Sequence, residues 1–388
     1  MGFGLLSIFL PLYMIAIGGS LIQIGLMSSM ALFLAIPASF FWGYICDKTK
    51  RYKRYILMSF LASTAILYLF TLTTNANLLI LLYAVMSIVH VAHEPPKNVL
   101  IAELYSRRDW ERSFAFYEGF TEVGWLIGLL LGFLVSACSI GPVNTLLLCA
   151  VLNLVAFVLS AVFVTDPLLI FERGLVNMEK SVDFTYRGIF LASKILDGVP
   201  TSERLRRENV GAFCVGLILF SLATSILFTP MPVFVSNAVA KAGLSQSIVF
   251  MIFVLNSGGA ILGYFLAGRR SQQSMGKSRV AHVAIVRSIL SLILIVCLQS
   301  FQYNVILATA ILMLMGLAYA LFIVCTLSLS MELIPAGRAG MFNVLIGIGG
   351  ACGSYIGPFL ADAFSFTYVF VTAGLIFLAS YLTFRLLM

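Results

Sequence analysis

Charged side chains are scarce in this sequence. Asp, Glu, Lys and Arg make up 10% of its 388 residues, where a soluble domain carries about 25%. So few cannot cover a surface that faces water, which excludes a soluble globular protein. The chain has three histidines, and its seven cysteines (Cys46, Cys138, Cys149, Cys214, Cys297, Cys325, Cys352) stand singly with no Cys-x-x-Cys pair. They read as small apolar fillers of helices rather than as metal or disulfide positions, and no cofactor or metal is expected. Alternation of polar and apolar residues over about ten positions, the mark of a barrel strand, gives way here to long charge-free runs. No cleavable leader is expected either, because the first apolar run has no basic segment before it.

What the chain has in abundance is apolar length: 61% of residues are hydrophobic and the mean hydropathy is +1.04. At about 20 residues per crossing, the sequence reads as an all-α membrane protein of twelve transmembrane helices. Their extents are 3–19, 22–46, 55–74, 78–102, 111–138, 142–165, 211–237, 246–268, 279–300, 304–330, 339–362 and 366–386. The first is short for a crossing: either it absorbs Gly18 to Leu21 or the chain begins upstream of Met1. Basic residues gather in alternate turns: Lys48 to Arg54, Arg107 to Arg112, Arg269 to Arg279, Arg338, and the long hydrophilic stretch from Asp166 to Asn209. The opposite side carries only Lys241 among its turns. Lys and Arg are retained inside during insertion, so both termini are expected in the cytoplasm and the protein in the cell membrane. This topology also explains the net charge of +8, so the bilayer, not a nucleic acid, is the expected partner. Within the hydrophilic stretch, Phe184 to Leu196 has the spacing of an amphipathic surface helix; an ordinary linker fits it as well.

The sharpest local pattern is GYICDKTKRYKR, Gly43 to Arg54. It sets five Lys or Arg and one Asp within eight residues, between two membrane-length apolar runs. Gly43, Asp47, Lys48 and Arg51 resemble the basic turn between helices 2 and 3 of the major facilitator superfamily. Lys50 stands where that family usually has glycine, so the turn must be made differently. The two halves also echo each other. Ala102-Glu103-Leu104, Arg112 and Gly124, Gly128, Gly132 recur as Met331-Glu332-Leu333, Arg338 and Gly349, Gly353, Gly357; Gly43-Tyr44 recurs as Gly263-Tyr264. The resemblance implies two pseudo-symmetric six-helix bundles, 1–165 and 211–388, joined by a cytoplasmic loop, 166–210, around a midplane site. It also implies that Glu103, Arg112, Glu332 and Arg338 form gating ion pairs with the basic turn; the start of helix 11, just after Pro335, offers a positive dipole end for Asp47.

Ionisable groups inside spans are costly to embed, so each is a functional candidate. Helix 5 holds Glu118 and Glu122, four residues apart on one face with Trp125 nearby; its three glycines form a separate stripe suited to close packing. Counted from Glu111, Glu122 is about 16 Å deep. A carboxylate there could take up and release a proton, hold an organic cation beside Trp125, or form a structural salt bridge to helix 4. That helix carries His90, His93, Glu94 and Lys97. If helices 4 and 5 pack antiparallel, His90 faces Glu122 and Lys97 faces Glu118. His-x-x-His-Glu has no third metal ligand in sight, so a proton relay or structural pairing is expected of it. Pro95-Pro96 should kink helix 4 and Pro230 and Pro232 distort helix 7. In the second half Arg287 is the one basic residue deep in a span, able to neutralise an anion or hold the bundle together; Asn256 and Asn343 are uncharged candidates.

Taken with the resemblance, these residues imply a monomeric secondary transporter of a small solute, working by alternating access and coupled to protons. Efflux of drugs or metabolites by proton antiport is the alternative. Exporters of the family carry Gly-x-x-x-Gly-Pro on helix 5, whereas Gly128 here is followed by Leu129. A metal-dependent membrane enzyme built on His90, His93 and Glu94, or a sensor that does not transport, is more remote.

Overall fold

A segment in lipid must satisfy its own backbone hydrogen bonds, and among open chains only a helix does so. A computed structural model describes residues 1–49, 51–96, 110–165, 210–269, 277–298, 301–333 and 340–387, and its elements are helical throughout. They are α1 Gly2–Ala16, α2 Leu21–Thr49, α3 Tyr52–Phe70, α4 Ala76–Pro96, α5 Trp110–Ala137, α6 Pro142–Phe163, α7 Val210–Lys241, α8 Ser247–Arg269, α9 Lys277–Leu298, α10 Phe301–Leu333, α11 Gly340–Ala363 and α12 Phe366–Leu382. Ten are long and apolar enough to cross a membrane; α1 and the apolar part of α9, Val280–Ile295, are shorter. The architecture is the expected twelve-helix one.

Local chemistry sets the ends. α1 stops at Ala16 instead of absorbing Gly18 to Leu21, and the chain turns at Gly18, whose φ of +88° suits glycine. Asn75 caps α4, its side-chain oxygen accepting from the backbone N–H groups of Asn77 at 2.9 Å and Leu78 at 3.4 Å. Pro95 and Pro96 have no N–H to return to Val91 and Ala92. The helix accordingly tightens to a 3-10 turn over Val91–His93, and Glu94 N–H bonds the Val91 carbonyl. α7 breaks at Pro230 into Val210–Phe228 and Met231–Lys241, as its two prolines require.

Within the halves α1 packs on α5, α2 on α4, and α3 on α6; in the second half α7 packs on α11, α8 on α10, and α9 on α12. Adding six to each helix number turns one set into the other, which is the internal repeat seen as geometry. The halves meet along α5 with α8 and α2 with α11, again related by that shift. Four of the six repeated glycines make close backbone seams. Gly128 lies against the backbone of Met1, and Gly349, Gly353 and Gly357 against the carbonyls of Ile218, Leu222 and Ile226 on α7. A side chain at those positions would hold the backbones apart.

Two large apolar clusters fill the halves. The second-half cluster takes in Ile8 and Leu129, and the first-half cluster takes in Val233, so each reaches across the seam. Outward-facing side chains are large and apolar as well; Phe163 is 76% and Ile306 87% exposed. Such a surface is stable against lipid, not water.

Candidate functional site

The α5–α8 seam brings a carboxylate from one half to a hydroxyl from the other. Ser257 donates its hydroxyl to Glu122 Oε1 at 2.6 Å. Ser257 is buried and Glu122 half-buried, at mid-length of α8 and α5 respectively. Glu118, one turn earlier on α5, is also half-buried. Tyr264 is buried on α8 and meets α5 beside Glu118: a side chain added at Gly119 would start 3.5 Å from Tyr264 Cβ.

Arg287, at mid-length of α9, has no exposed surface. Its Nη1 donates to Thr224 Oγ1 on α7 at 2.9 Å. Its guanidinium carbon lies over four rings: Phe377 at 4.8 Å, Phe220 at 5.1 Å, Tyr319 at 5.4 Å and Phe228 at 5.5 Å from their centroids. Nε and Nη2 are buried and have no acceptor among the described residues. Each unmet buried donor costs about 1–3 kcal/mol, and cation–π attraction of about 2 kcal/mol when desolvated offsets part of that. Among the described residues no carboxylate forms an ion pair with this cation.

The α4 cluster is separate. α4 packs against α2 and α3, while α5 packs against α1 and α8, so the expected pairing of His90 with Glu122 does not form. His90 instead stacks on Phe3, with ring centroids 4.0 Å apart, and its Nδ1 lies 3.4 Å from Ser63 Oγ. His93 places Nδ1 2.5 Å from the His90 carbonyl and Nε2 3.2 Å from Glu94 Oε1. The physical reason is the close approach at Gly128, which seats α5 on α1, while α4 packs on α2 and α3. Lys97 lies outside the described residues. Among those described, no group of three His, Cys, Asp or Glu could hold a metal.

Other candidates divide. Asn256 donates from Nδ2 to the Leu312 carbonyl at 2.6 Å, which ties α8 to α10. Asn343 and Trp125 are exposed. At the basic turn α2 runs to Thr49 and α3 starts at Tyr52, with Thr49 Oγ1 and Tyr55 OH 2.9 Å apart across it. Cys46, Tyr52 and Tyr55 form a buried cluster beside it; Lys50 itself lies outside the described residues. Lys48 and Arg51 are exposed. Among the described residues nothing lies within 4 Å of where a Gly43 side chain would start, whereas Gly263 abuts the Leu317 carbonyl. Arg112 is exposed, with its guanidinium 5.7 Å from the Phe116 ring. Glu103, Arg338 and the side chains of Asp47 and Glu332 lie outside what the structure describes, as does the stretch from Phe184 to Leu196.

Sequence reasoning missed Ser257, Thr224, Tyr264 and Tyr319. One signal was available: Asn256-Ser257-Gly258-Gly259 is a small, polar run at mid-span. Single hydroxyls on apolar helices gave none.

A family model described as Major Facilitator Superfamily matches residues 1–343. Two solved structures of the nucleoside transporter NupG, one of them a point mutant, share the fold. The mutant is 13% identical, with 99% of this chain and 95% of that chain covered and a TM-score of 0.70. The other is 14% identical, with 99% and 94% covered and a TM-score of 0.70. No curated protein matches the sequence significantly.

Proposed function

Since the chain belongs to the major facilitator superfamily, we propose that it is a secondary active transporter that moves a small solute by alternating access, coupled to protons at Glu122. The two bundles, 1–165 and 211–388, rock along the α5–α8 and α2–α11 seams, with the basic turns and both termini in the cytoplasm and the protein acting as a monomer in the cell membrane. The carrying observation is the 2.6 Å hydrogen bond from Ser257 to Glu122, which crosses a seam. A hydrogen bond to a charged carboxylate is about twice as strong as one to a neutral carboxyl. Protonating Glu122 therefore loosens the seam, and tightening the seam favours loss of the proton. Coupling of this kind is reciprocal: whatever the proton does to the conformation, the conformation does to proton affinity. Glu118, one turn away, adds a second carboxylate to the same pathway.

Proteoliposomes loaded with a pH-sensitive dye test this reading. A transported solute added outside should acidify the lumen if proton and solute enter together, and make it alkaline if they exchange. Glu122→Gln should abolish the pH change while leaving exchange of labelled for unlabelled solute. A pH change of wild-type size in Glu122→Gln overturns the coupling assignment.

A further inference from the structure

The two unmet donors of Arg287 are not an arbitrary pair. With Nη1 occupied by Thr224, the free groups are Nε and Nη2. Their N–H bonds point the same way along one edge of the planar guanidinium. That edge is the fork that grips two oxygens of a carboxylate or phosphate with two parallel hydrogen bonds. The rest of the group is fixed in advance. Thr224 holds one end, and Phe220, Phe228, Tyr319 and Phe377 lie around it, so little rotational freedom is left to lose on binding.

A buried cation without a carboxylate is costly to keep. An arginine placed only to brace the bundle would satisfy more than one of its donor groups locally. A second observation concerns access. Phe228, one of the four rings, is the last residue of the first segment of α7, directly before the break at Pro230. Interrupted helices carry binding sites in transporters because they can bend and expose backbone at mid-depth. The ring that helps close the guanidinium from solvent thus sits at the joint where α7 breaks.

We infer that the Nε–Nη2 edge of Arg287 receives an oxyanion group of the transported solute, a carboxylate or a phosphate, reached when α7 flexes at Pro230. This rests on the transporter reading and adds the chemical class of the cargo. Tyr319, whose ring centroid lies 5.4 Å from the Arg287 guanidinium carbon, stands on α10, which packs against α8, the helix that carries Ser257.

The test uses the purified full-length protein and needs no flux. Thermal denaturation is followed with increasing sodium acetate, sodium benzoate or inorganic phosphate, each against acetamide, benzamide or sodium chloride at matched ionic strength. A ligand that binds only the folded form raises the melting temperature in a saturable way. At least one anion is expected to do so, and the neutral amides are not; whether carboxylates or phosphate saturate names the group. Arg287→Lys keeps the charge and loses the fork, so it should weaken that anion by roughly ten- to a hundredfold; Arg287→Gln should lose it altogether. Elution as a single species checks folding, and Lys alone decides if Gln misfolds. No saturable shift with any anion, or an undiminished shift in Arg287→Lys, overturns the inference. Since proton movement through Glu122 is read separately in vesicles, failure here with that signal intact removes the anion site and leaves the transporter.

Discussion

Replacing Ser257 with alanine removes one oxygen atom from the seam between the halves. The lost contact is a 2.6 Å hydrogen bond to Glu122 Oε1, and hydrogen bonds to charged groups contribute about 1.5–3 kcal/mol. The hydroxyl is buried on α8 while the carboxylate is half-buried on α5, so water cannot readily take the place of the serine. Such a loss shifts the balance between the closed and parted seam by roughly 10- to 150-fold. Gly258 offers a reporter beside it: among the described residues a side chain there meets only Leu126 Cδ1, at 3.9 Å. With the seven native cysteines replaced and cysteine placed at Gly258, the rate of maleimide labelling follows the population of the parted seam. Ser257→Ala should speed labelling by about tenfold or more. In a Glu122→Gln background the same change should have a much smaller effect, because the bond it removes is already neutral and weaker. Unchanged labelling in Ser257→Ala, or effects of the two substitutions that simply multiply, would show that the residues are not coupled and refute the reasoning.

Two further substitutions probe packing and the α4 cluster. Gly353→Val places a branched side chain against the Leu222 carbonyl and should destabilise the protein by about 1–3 kcal/mol, read as a lower melting temperature. Gly43→Ala, where nothing among the described residues lies within 4 Å, should leave that temperature unchanged or slightly higher. His90→Asn should preserve proton-linked flux, since His90 stacks on Phe3 and sits beside Ser63 rather than facing Glu122; loss of the pH signal in the vesicle assay would place His90 in the coupling path after all.

The sequence made much of this molecule legible because lipid imposes strict rules. Apolar length gave the spans, with boundaries that differ from the helices described by only a few residues at most ends. The glycine echoes at Gly128 and Gly353 foretold close seams, since only backbone approach explains small residues at helical spacing. Glu122 and Arg287 were visible as charges where charge is costly. Their partners were not, because a serine or threonine on an apolar helix resembles a filler until a neighbouring helix is placed against it. The expected meeting of α4 and α5 failed for a related reason. Adjacency in the chain suggested adjacency in space, but the close approach at Gly128 that seats α5 on α1 decided otherwise. Gly43 shows the converse: it carries a family motif, yet no described residue lies within 4 Å of where its side chain would start.

Spin labels placed in pairs at opposite ends of the molecule test alternating access most directly. One pair replaces Lys48 and Arg385 at the basic end, the other Thr74 and Lys241 at the far end; all four are exposed and each pair spans the two halves. Distances measured by pulsed electron resonance in liposomes, with and without a pH gradient and solute, should move in opposite senses, one end opening as the other closes. Two distances that stay fixed, or that lengthen and shorten together, would contradict a rocking motion about the α2–α11 and α5–α8 seams.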